Sequence, residues 1–455
     1  MKLAIIGGGS AYIPHLMHNL MLVHERLPFT DITLMDTNTE RLNIMADYCE
    51  RLVKRVGVKT KINRTTDLRA AIEGSKIVVS TIRPGGNELR AIDEKIAIKN
   101  GVVGQETTGP AGFAFALRCI RPSIEIGKTI EEVAPDAFLI SATNPAGIIT
   151  EAISRYTKAK VFGMCHGGIT LDNKVARHFL KIDDPKRVKV IYAGINHLGV
   201  VLKVLRDGVE VPREEMVERI AEFFANQPLH DRIDPEFVRL WKWPYFVGLY
   251  WHYWYHTDRI FELERKREKT RGEEVVATQK ELFEAIQHAS HWDDLPLKMR
   301  ARGSTELERK EMAESALAGY VRGMIATMDG LINDTREILA LNVPNQGAID
   351  DLDDEASIEV SGVLTRSGFM PFRIGKLPLE IRGLIVAVKT YETLTIKAAV
   401  EGSYEYALKA LMAHPLVRQY ELAKKLLDEY LIADKEYLPQ FKSVIEKIEA
   451  NKSLE

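Results

Sequence analysis

Cys165 and His166 stand side by side in Gly163-Met-Cys-His-Gly-Gly168, and another imidazole, His197, follows Asn196 in Gly194-Ile-Asn-His-Leu198. Thiolate and imidazole groups suit a borderline divalent metal. The neighbouring glycines would let backbone and ligand approach closely. The plain alternative is a buried and inert cysteine, which is a common fate of that side chain. The start of the chain favours chemistry.

Lys2-Leu-Ala-Ile-Ile6 reads as a short strand, apolar after its first residue, and Gly7-Gly-Gly9-Ser10 follows at once. A helical pattern then runs from about Pro14 to His24. Strand, glycine turn and helix form the start of a βαβ unit in which helix N-terminal amides face a pyrophosphate. The fingerprint is partial, because Tyr12 stands where a third glycine is usual. The next strand, Asp31–Met35, ends in Asp36. An acid there binds ribose hydroxyls and repels a 2′-phosphate, so Asp36 with Gly7, Gly9 and Ser10 favours NAD over NADP. A helix cap ahead of Thr39 is the structural alternative for Asp36.

Further strands, Ser75–Thr81, Ala137–Ala142 and Lys160–Met164, each deliver a loop to the carboxyl edge of the expected parallel sheet, where ligands bind in such folds. The first carries Arg83-Pro-Gly-Gly86, the second Asn144-Pro-Ala-Gly147, and the third Cys165. The glycine-dense loop Gly101–Phe113 looks built for ligand contact rather than for a core. From residue 166 the pattern changes to longer helices with a few antiparallel strands, and residues 380–449 read as strongly helical. The expected architecture is α/β: a Rossmann-type NAD-binding domain over 1–165, then a mixed α+β, mostly helical domain over 166–455 for substrate, metal and oligomerisation. Trp241–His256 is unusually aromatic. Core or subunit interface explains most of these rings, although a tyrosine beside a sugar site can bind or carry a proton.

The chain has 455 residues, 45% hydrophobic and 28% charged, as expected of two packed globular domains. A formal net charge of −2 argues against a dedicated nucleic-acid or membrane surface. Cys49, Cys119 and Cys165 are odd in number and widely spaced, which fits a reducing compartment. Neither a signal peptide nor a membrane-length apolar run is visible. The expected location is cytoplasmic.

Taken together, Gly7-Gly-Gly9-Ser10, Arg83-Pro-Gly-Gly86, Gly104-Gln-Glu-Thr-Thr-Gly109, Asn144-Pro-Ala-Gly147, Cys165, Asn196-His197 and Asn345-Gln-Gly347 resemble glycoside hydrolase family 4. The resemblance covers nearly the whole chain. It implies a lactate/malate dehydrogenase-like fold, NAD as a true cofactor, a divalent metal (typically Mn2+) and a homodimer or homotetramer. The implied reaction departs from the two-carboxylate route of most glycosidases. Hydride leaves carbon 3 of the sugar for NAD, and the new ketone acidifies the proton on carbon 2. A base removes that proton while the metal stabilises the enediolate. The glycosidic oxygen is eliminated, water adds, and the hydride returns.

By the same resemblance, Cys165 and His197 fall on the metal-ligand positions and Asn144 on a sugar-binding asparagine. Asn196 is a further substrate-binding candidate. Tyr250 falls on the base, with Tyr245 and Tyr253 as fallbacks because the surrounding segment departs from the family wording. A free tyrosine titrates near about pH 10, so Tyr250 would need a nearby positive charge such as the metal. Arg271 matches an arginine that contacts the substrate phosphate. Arg83 and Arg90 are further candidates for the anionic end, since a guanidinium fork suits phosphate-like oxygens; surface ion pairs are the alternative for all three.

His166 departs from the Asn of 6-phospho-β-glucosidases and the Asp of the 6-phospho-α group. A Cys-His pair resembles members acting on non-phosphorylated α-glycosides, whereas the Gln-Glu-Thr-Thr loop resembles the 6-phospho-β group. His166 is either a general acid for the leaving oxygen or a group that orients a metal ligand. The function expected is an NAD- and metal-dependent glycosidase for glucosides with an anionic carbon 6. A sulfoquinovosidase or plain α-glycosidase is the alternative within that mechanism. A 2-hydroxyacid dehydrogenase or an NAD-dependent sensor is the alternative outside it.

Overall fold

The structure is a computed structural model that describes residues 1–165, 168, 171–229, 232–246, 248, 250–296 and 319–452. Its centre is a parallel sheet of β1 (Lys2–Ile6), β2 (Asp31–Met35), β3 (Lys61–Thr65), β4 (Ile77–Ser80), β5 (Phe138–Ser141) and β6 (Lys160–Gly163). The order is β3-β2-β1-β4-β5-β6, so the chain reverses direction across the sheet between β1 and β4. That reversal opens a crevice at the carboxyl edge, where dinucleotides bind in doubly wound folds. Strands β1, β4 and β5 are nearly continuous apolar runs because helices cover both faces.

Helices α1 (Ile13–Leu22), α2 (Thr39–Val56), α3 (Leu68–Ile72), α4 (Gly86–Lys99), α5 (Ala111–Val133) and α6 (Ala146–Tyr156) fill the connections. Local chemistry sets their ends. Asn38 caps α2 by accepting from Arg41 N, and Gly57 closes it in the left-handed region. Asp67 caps α3 through Ala70 N.

The sheet does not stop at β6. Strands β10 (Ile338–Pro344), β11 (Ser357–Thr365) and β12 (Gly368–Pro371) extend it in antiparallel fashion, making nine strands. β10 joins β6 where Asn342 faces Gly163. A separate three-stranded sheet contains the hairpin of β7 (Val188–Ile195) and β8 (Leu198–Arg206), with β9 (Val209–Glu210) on its edge. One continuous hydrophobic cluster runs from Leu3 to Ile445, so both halves of the chain share a core.

The second half supplies α7 (Trp251–Tyr255), α8 (Arg271–His288), α9 (Gly319–Asn333), α10 (Leu379–Glu401), α11 (Tyr404–Ala413) and α12 (Tyr420–Ala433). Helix α10 packs against α5, α6 and α11, closing the back of the crevice. Among the described residues no helix is long and apolar enough to cross a membrane.

Candidate active site

Two strand ends and one hairpin turn build the site. Asn144 follows β5, Cys165 follows β6, and Asn196-His197 is the two-residue turn between β7 and β8. Such tight hairpins need positive φ to match strand twist, and His197 supplies it at φ 61°. Holding a non-glycine residue there costs about 1 kcal/mol. Gly194, at φ 149°, is also obligatory, because a Cβ would lie 2.5 Å from Leu198 O across the hairpin.

The turn carries the imidazole to the thiol: Cys165 Sγ and His197 Nε2 are 3.0 Å apart. A thiol sulfur and an imidazole nitrogen this close would be able to share one divalent ion as ligands. Cys165 is buried like Cys49 and Cys119, but those two lie in apolar surroundings. Burial pushes the Cys119 thiol up to about 12. A bound metal does the opposite and deprotonates a coordinating thiol outright.

Tyr250 lies flat on His197, with ring centroids 3.9 Å apart and planes 7° from parallel. Neighbouring aromatic residues hold it there. Tyr245 pairs with Val201 of β8 through two backbone hydrogen bonds, and Trp251 donates Nε1–H to Gly199 O at 2.9 Å. The segment is therefore stitched to the same hairpin that carries His197. Tyr245 belongs to this stitching, and Tyr253 packs with Val103 and Ile260. Trp241, Phe246 and Tyr255 of the stretch pack with one another and with Phe237 as an aromatic cluster.

The cofactor-cradle residues also converge. Added Cβ atoms on Gly7, Gly8 and Gly9 would meet Thr81 C at 2.8 Å, Leu34 Cβ at 2.8 Å and Arg41 Cβ at 2.9 Å, so each glycine is required by close packing. Asp36 accepts from Gly9 N and from Asn38 N, both at 2.9 Å. It therefore ties the glycine turn to the end of β2 and sits at the turn ahead of α2, where Asn38 is the cap. Ser10 Oγ accepts from Tyr12 N at 3.3 Å.

Arg83 and Arg90 reach the crevice already engaged. Glu106 binds both, its Oε2 3.0 Å from Arg83 Nη1 and its Oε1 3.0 Å from Arg90 Nη1. Arg90 also pairs with Glu94, whose other oxygen accepts from Gly272 N at 2.7 Å. Arg83 lies over the Phe115 ring at 4.4 Å. Burial would raise the Glu106 carboxyl, but Arg90 and Arg83 outweigh it and hold it below the usual range. The two guanidiniums are thus matched by two carboxylates, an arrangement that the spacing of Arg83 and Arg90 in sequence does not reveal. Arg271 opens α8 beside this network, one residue before Gly272, with its side chain 33% exposed and 3.1 Å from Glu274.

The Gly101–Phe113 loop is mostly its own scaffold. Gln105 Oε1 accepts from Thr107 N and Thr108 N, and a Cβ on Gly109 would clash with Val103 O. Glu106 is the group it sends toward the site. Asn345, likewise, bonds Ile349, Leu352 and Asp353 and serves as a turn anchor. His166 lies outside the described residues.

Behind Cys165, Glu359 of β11 is buried against Asn342 and Tyr192, with Gly168 in close approach. Burial pushes this carboxyl up to about 8, against the donors from Asn342 and Tyr192. An acid between Ile358 and Val360 in a buried strand is its only sequence signal.

Residues 2–181 match the profile of the family 4 glycosyl hydrolases, and residues 192–417 match that family's C-terminal domain. The chain belongs to glycosyl hydrolase family 4. A probable 6-phospho-beta-glucosidase from Bacillus subtilis is 36% identical over 98% of this chain and 99% of its own. A 6-phospho-beta glucosidase from Thermotoga maritima, solved with manganese, NAD+ and glucose-6-phosphate, is 30% identical. It covers 96% of this chain and 99% of its own, with a TM-score of 0.82. A 6-phospho-alpha-glucosidase from gut microorganisms, solved with NAD and glucose-6-phosphate, is 26% identical over 96% of this chain and 99% of its own, also at 0.82. The fold likeness extends to a malate dehydrogenase from Plasmodium falciparum, 15% identical with a TM-score of 0.51 over 88% of this chain and 99% of its own.

The residues present fit both groups that the family implies. The glycine turn leaves no room for side chains and ends at an acid, as a dinucleotide needs. The thiol and imidazole stand at ligand spacing. Asn144 Oδ1 is buried with no hydrogen-bond partner among the described residues. A buried carbonyl without a donor is costly unless a ligand hydroxyl supplies one.

Proposed function

We propose that this family 4 enzyme is an NAD- and manganese-dependent glycosidase that cleaves glucosides carrying a phosphate on carbon 6, with the β-linked substrate preferred. The Cys165–His197 pair beneath the Tyr250 ring is the observation that carries the reading. It puts metal-ligand chemistry and a proton-carrying phenol within one turn of each other.

When bound, NAD supplies a reversible hydride acceptor and the metal a Lewis acid for the sugar oxygens. The chain's own residues do the rest. Cys165 and His197 hold the metal. Gly7, Gly9, Ser10 and Asp36 seat the dinucleotide. Asn144 Oδ1 accepts from a sugar hydroxyl and fixes the ring. Tyr250 Oη takes the proton from carbon 2. Arg271, beside the Arg90–Glu94–Glu106 network, meets the phosphate, while Arg83 and Arg90 stay paired with Glu106.

The preference for the β anomer is supported by the 36% and 30% identities to the two β-specific relatives, against 26% for the α-specific structure. The test is hydrolysis of p-nitrophenyl α- and β-glucoside 6-phosphates, α-sulfoquinovoside and α-glucoside, with NAD and manganese present or each withheld. Turnover of the β-phosphate that needs both supports the reading. Turnover restricted to the sulfonate or another α substrate makes His166 the informative residue. No glycoside turnover, with a 2-hydroxyacid oxidised instead, removes the glycosidase reading.

A further inference from the structure

Helix α10 carries a buried ion group that the active-site residues do not explain. Lys389 Nζ lies 3.0 Å from Glu151 Oε2 of α6 and contacts Glu392 one turn along α10. Its side chain is 7% exposed, and that of Glu151 is fully buried. Glu151 is already well supplied with donors: Thr393 Oγ1 at 2.8 Å, Arg155 Nε at 3.0 Å and Ser357 N at 2.9 Å. Lys389 thus has a buried carboxylate partner apart from Glu392, one that it shares with Arg155. A second carboxylate buried at the same place is expensive unless it does something else.

The place Glu392 occupies indicates what that is. A Cβ on Gly147 would lie 3.5 Å from Glu392 Oε1, 3.7 Å from Glu392 Oε2 and 3.1 Å from Asn196 Cβ. Gly147 is the second residue of α6, two positions after Pro145 of the Asn144-Pro145 turn. The carboxylate therefore lies beside the first turn of α6, close against Gly147 and next to the Asn196 side chain. Three pieces meet there: the turn bearing Asn144, the hairpin bearing Asn196-His197, and α10.

We propose that Lys389 and Glu392 form a positioning pair for the reaction, with Lys389 holding the Glu392 carboxylate in the gap between the Asn144 turn and Asn196 and so fixing the spacing of the two carboxamides. This rests on the glycosidase reading above. Neither side chain touches substrate. Glu151 anchors the pair to β11, so the geometry of the sugar pocket is referred to the extended sheet rather than to the loops alone.

The experiment compares wild type, Glu392→Gln and the charge-neutral double variant Lys389→Met/Glu392→Gln. Steady-state kinetics on p-nitrophenyl β-glucoside 6-phosphate, NAD affinity by fluorescence and thermal midpoints are measured on each. Glu392→Gln is expected to raise KM about tenfold, with NAD affinity changed less than about twofold. The double variant is expected to keep the raised KM even where its midpoint returns to wild type. KM that follows the midpoint, or that rises together with the NAD dissociation constant, overturns the proposal by making the pair merely structural. Calorimetric binding of glucose 6-phosphate separates the two levels. Wild-type protein that neither binds nor turns over the sugar overturns the underlying reading and the pair with it. Intact wild-type binding that Glu392→Gln leaves unchanged overturns the pair alone.

Discussion

The Tyr250 phenol ring rests face to face on the His197 imidazole, 3.9 Å between centroids. Stacking fixes the ring plane and leaves the hydroxyl at its far edge to do chemistry. Tyr250→Phe preserves the stack and removes only the oxygen. It is expected to lower kcat about 100-fold or more, in line with loss of a general base, and to abolish exchange of the carbon 2 proton in deuterated water. Unchanged exchange would assign the base elsewhere.

Cys165→Ser should separate metal binding from dinucleotide binding. The hydroxyl is a poor substitute for a thiolate toward a borderline ion, while the proposed NAD cradle lies at β1 and β2. Manganese affinity, followed by electron paramagnetic resonance, is expected to fall at least tenfold and activity to vanish. NAD titration should be unchanged; equal loss of both would make Cys165 structural.

Asp36 accepts from Gly9 N and Asn38 N, and in the proposed reading it also meets the ribose. Asp36→Ala is therefore expected to weaken NAD binding at least tenfold and also to lower stability by about 1 kcal/mol, a typical net value for a lost hydrogen bond. A variant with weaker NAD binding and stronger NADP binding would support the discrimination assigned to the acid.

Glu106 neutralises two arginines at once. Glu106→Ala leaves Arg83 and Arg90 facing each other with Glu94 as the sole remaining acid of the network. Removing one partner of a buried pair typically costs about 3–5 kcal/mol. Because Arg83 is about one-quarter exposed, we expect the lower end of that range in urea denaturation. Loss below about 1 kcal/mol would mean that solvent screens the network.

His414 gives the protein an acid limit. Its ring is buried between Trp254 and Tyr391, with Nε2 against Thr108 O and Nδ1 accepting from Leu416 N. This is a neutral tautomer, and burial pulls the imidazole down to about 4. The unfolded chain binds the proton first, so this contribution is intact above about pH 6.5 and is lost as pH falls from there toward about 4. By pH 5 the loss amounts to about 2 kcal/mol. Denaturation midpoints at pH 7 and pH 5 should differ less in His414→Gln than in wild type; equal differences would place the acid limit elsewhere.

The sequence makes β1 and β2 legible to the residue, because strands buried on both faces must be apolar. β3, with Lys61, Asn63 and Arg64 on a half-exposed edge, lacks that signature. β10 and β11 hide theirs behind Asn342 and Glu359, polar residues that belong to the layer behind Cys165. The site divides in the same way. Cys165, His197, Tyr250 and Asn144 stand in short motifs whose residue types already suggest their chemistry. Lys389, Glu392 and Glu151 read as ordinary helical surface charge until the fold buries them. Arg83 and Arg90 are visible as cations, but their shared acid is set by a loop whose shape the sequence does not specify.

The junction of β6 with β10 has a consequence for how the protein is made. A growing chain completes β1 to β6 long before Ile338 leaves the ribosome, so the outer edge of β6 waits without its neighbour. An unpaired edge invites other strands, and contacts this distant in sequence form slowly. Cys165 sits at that same edge. The packing behind the Cys165 thiol, two residues past Gly163, is therefore completed only once the late strand has docked.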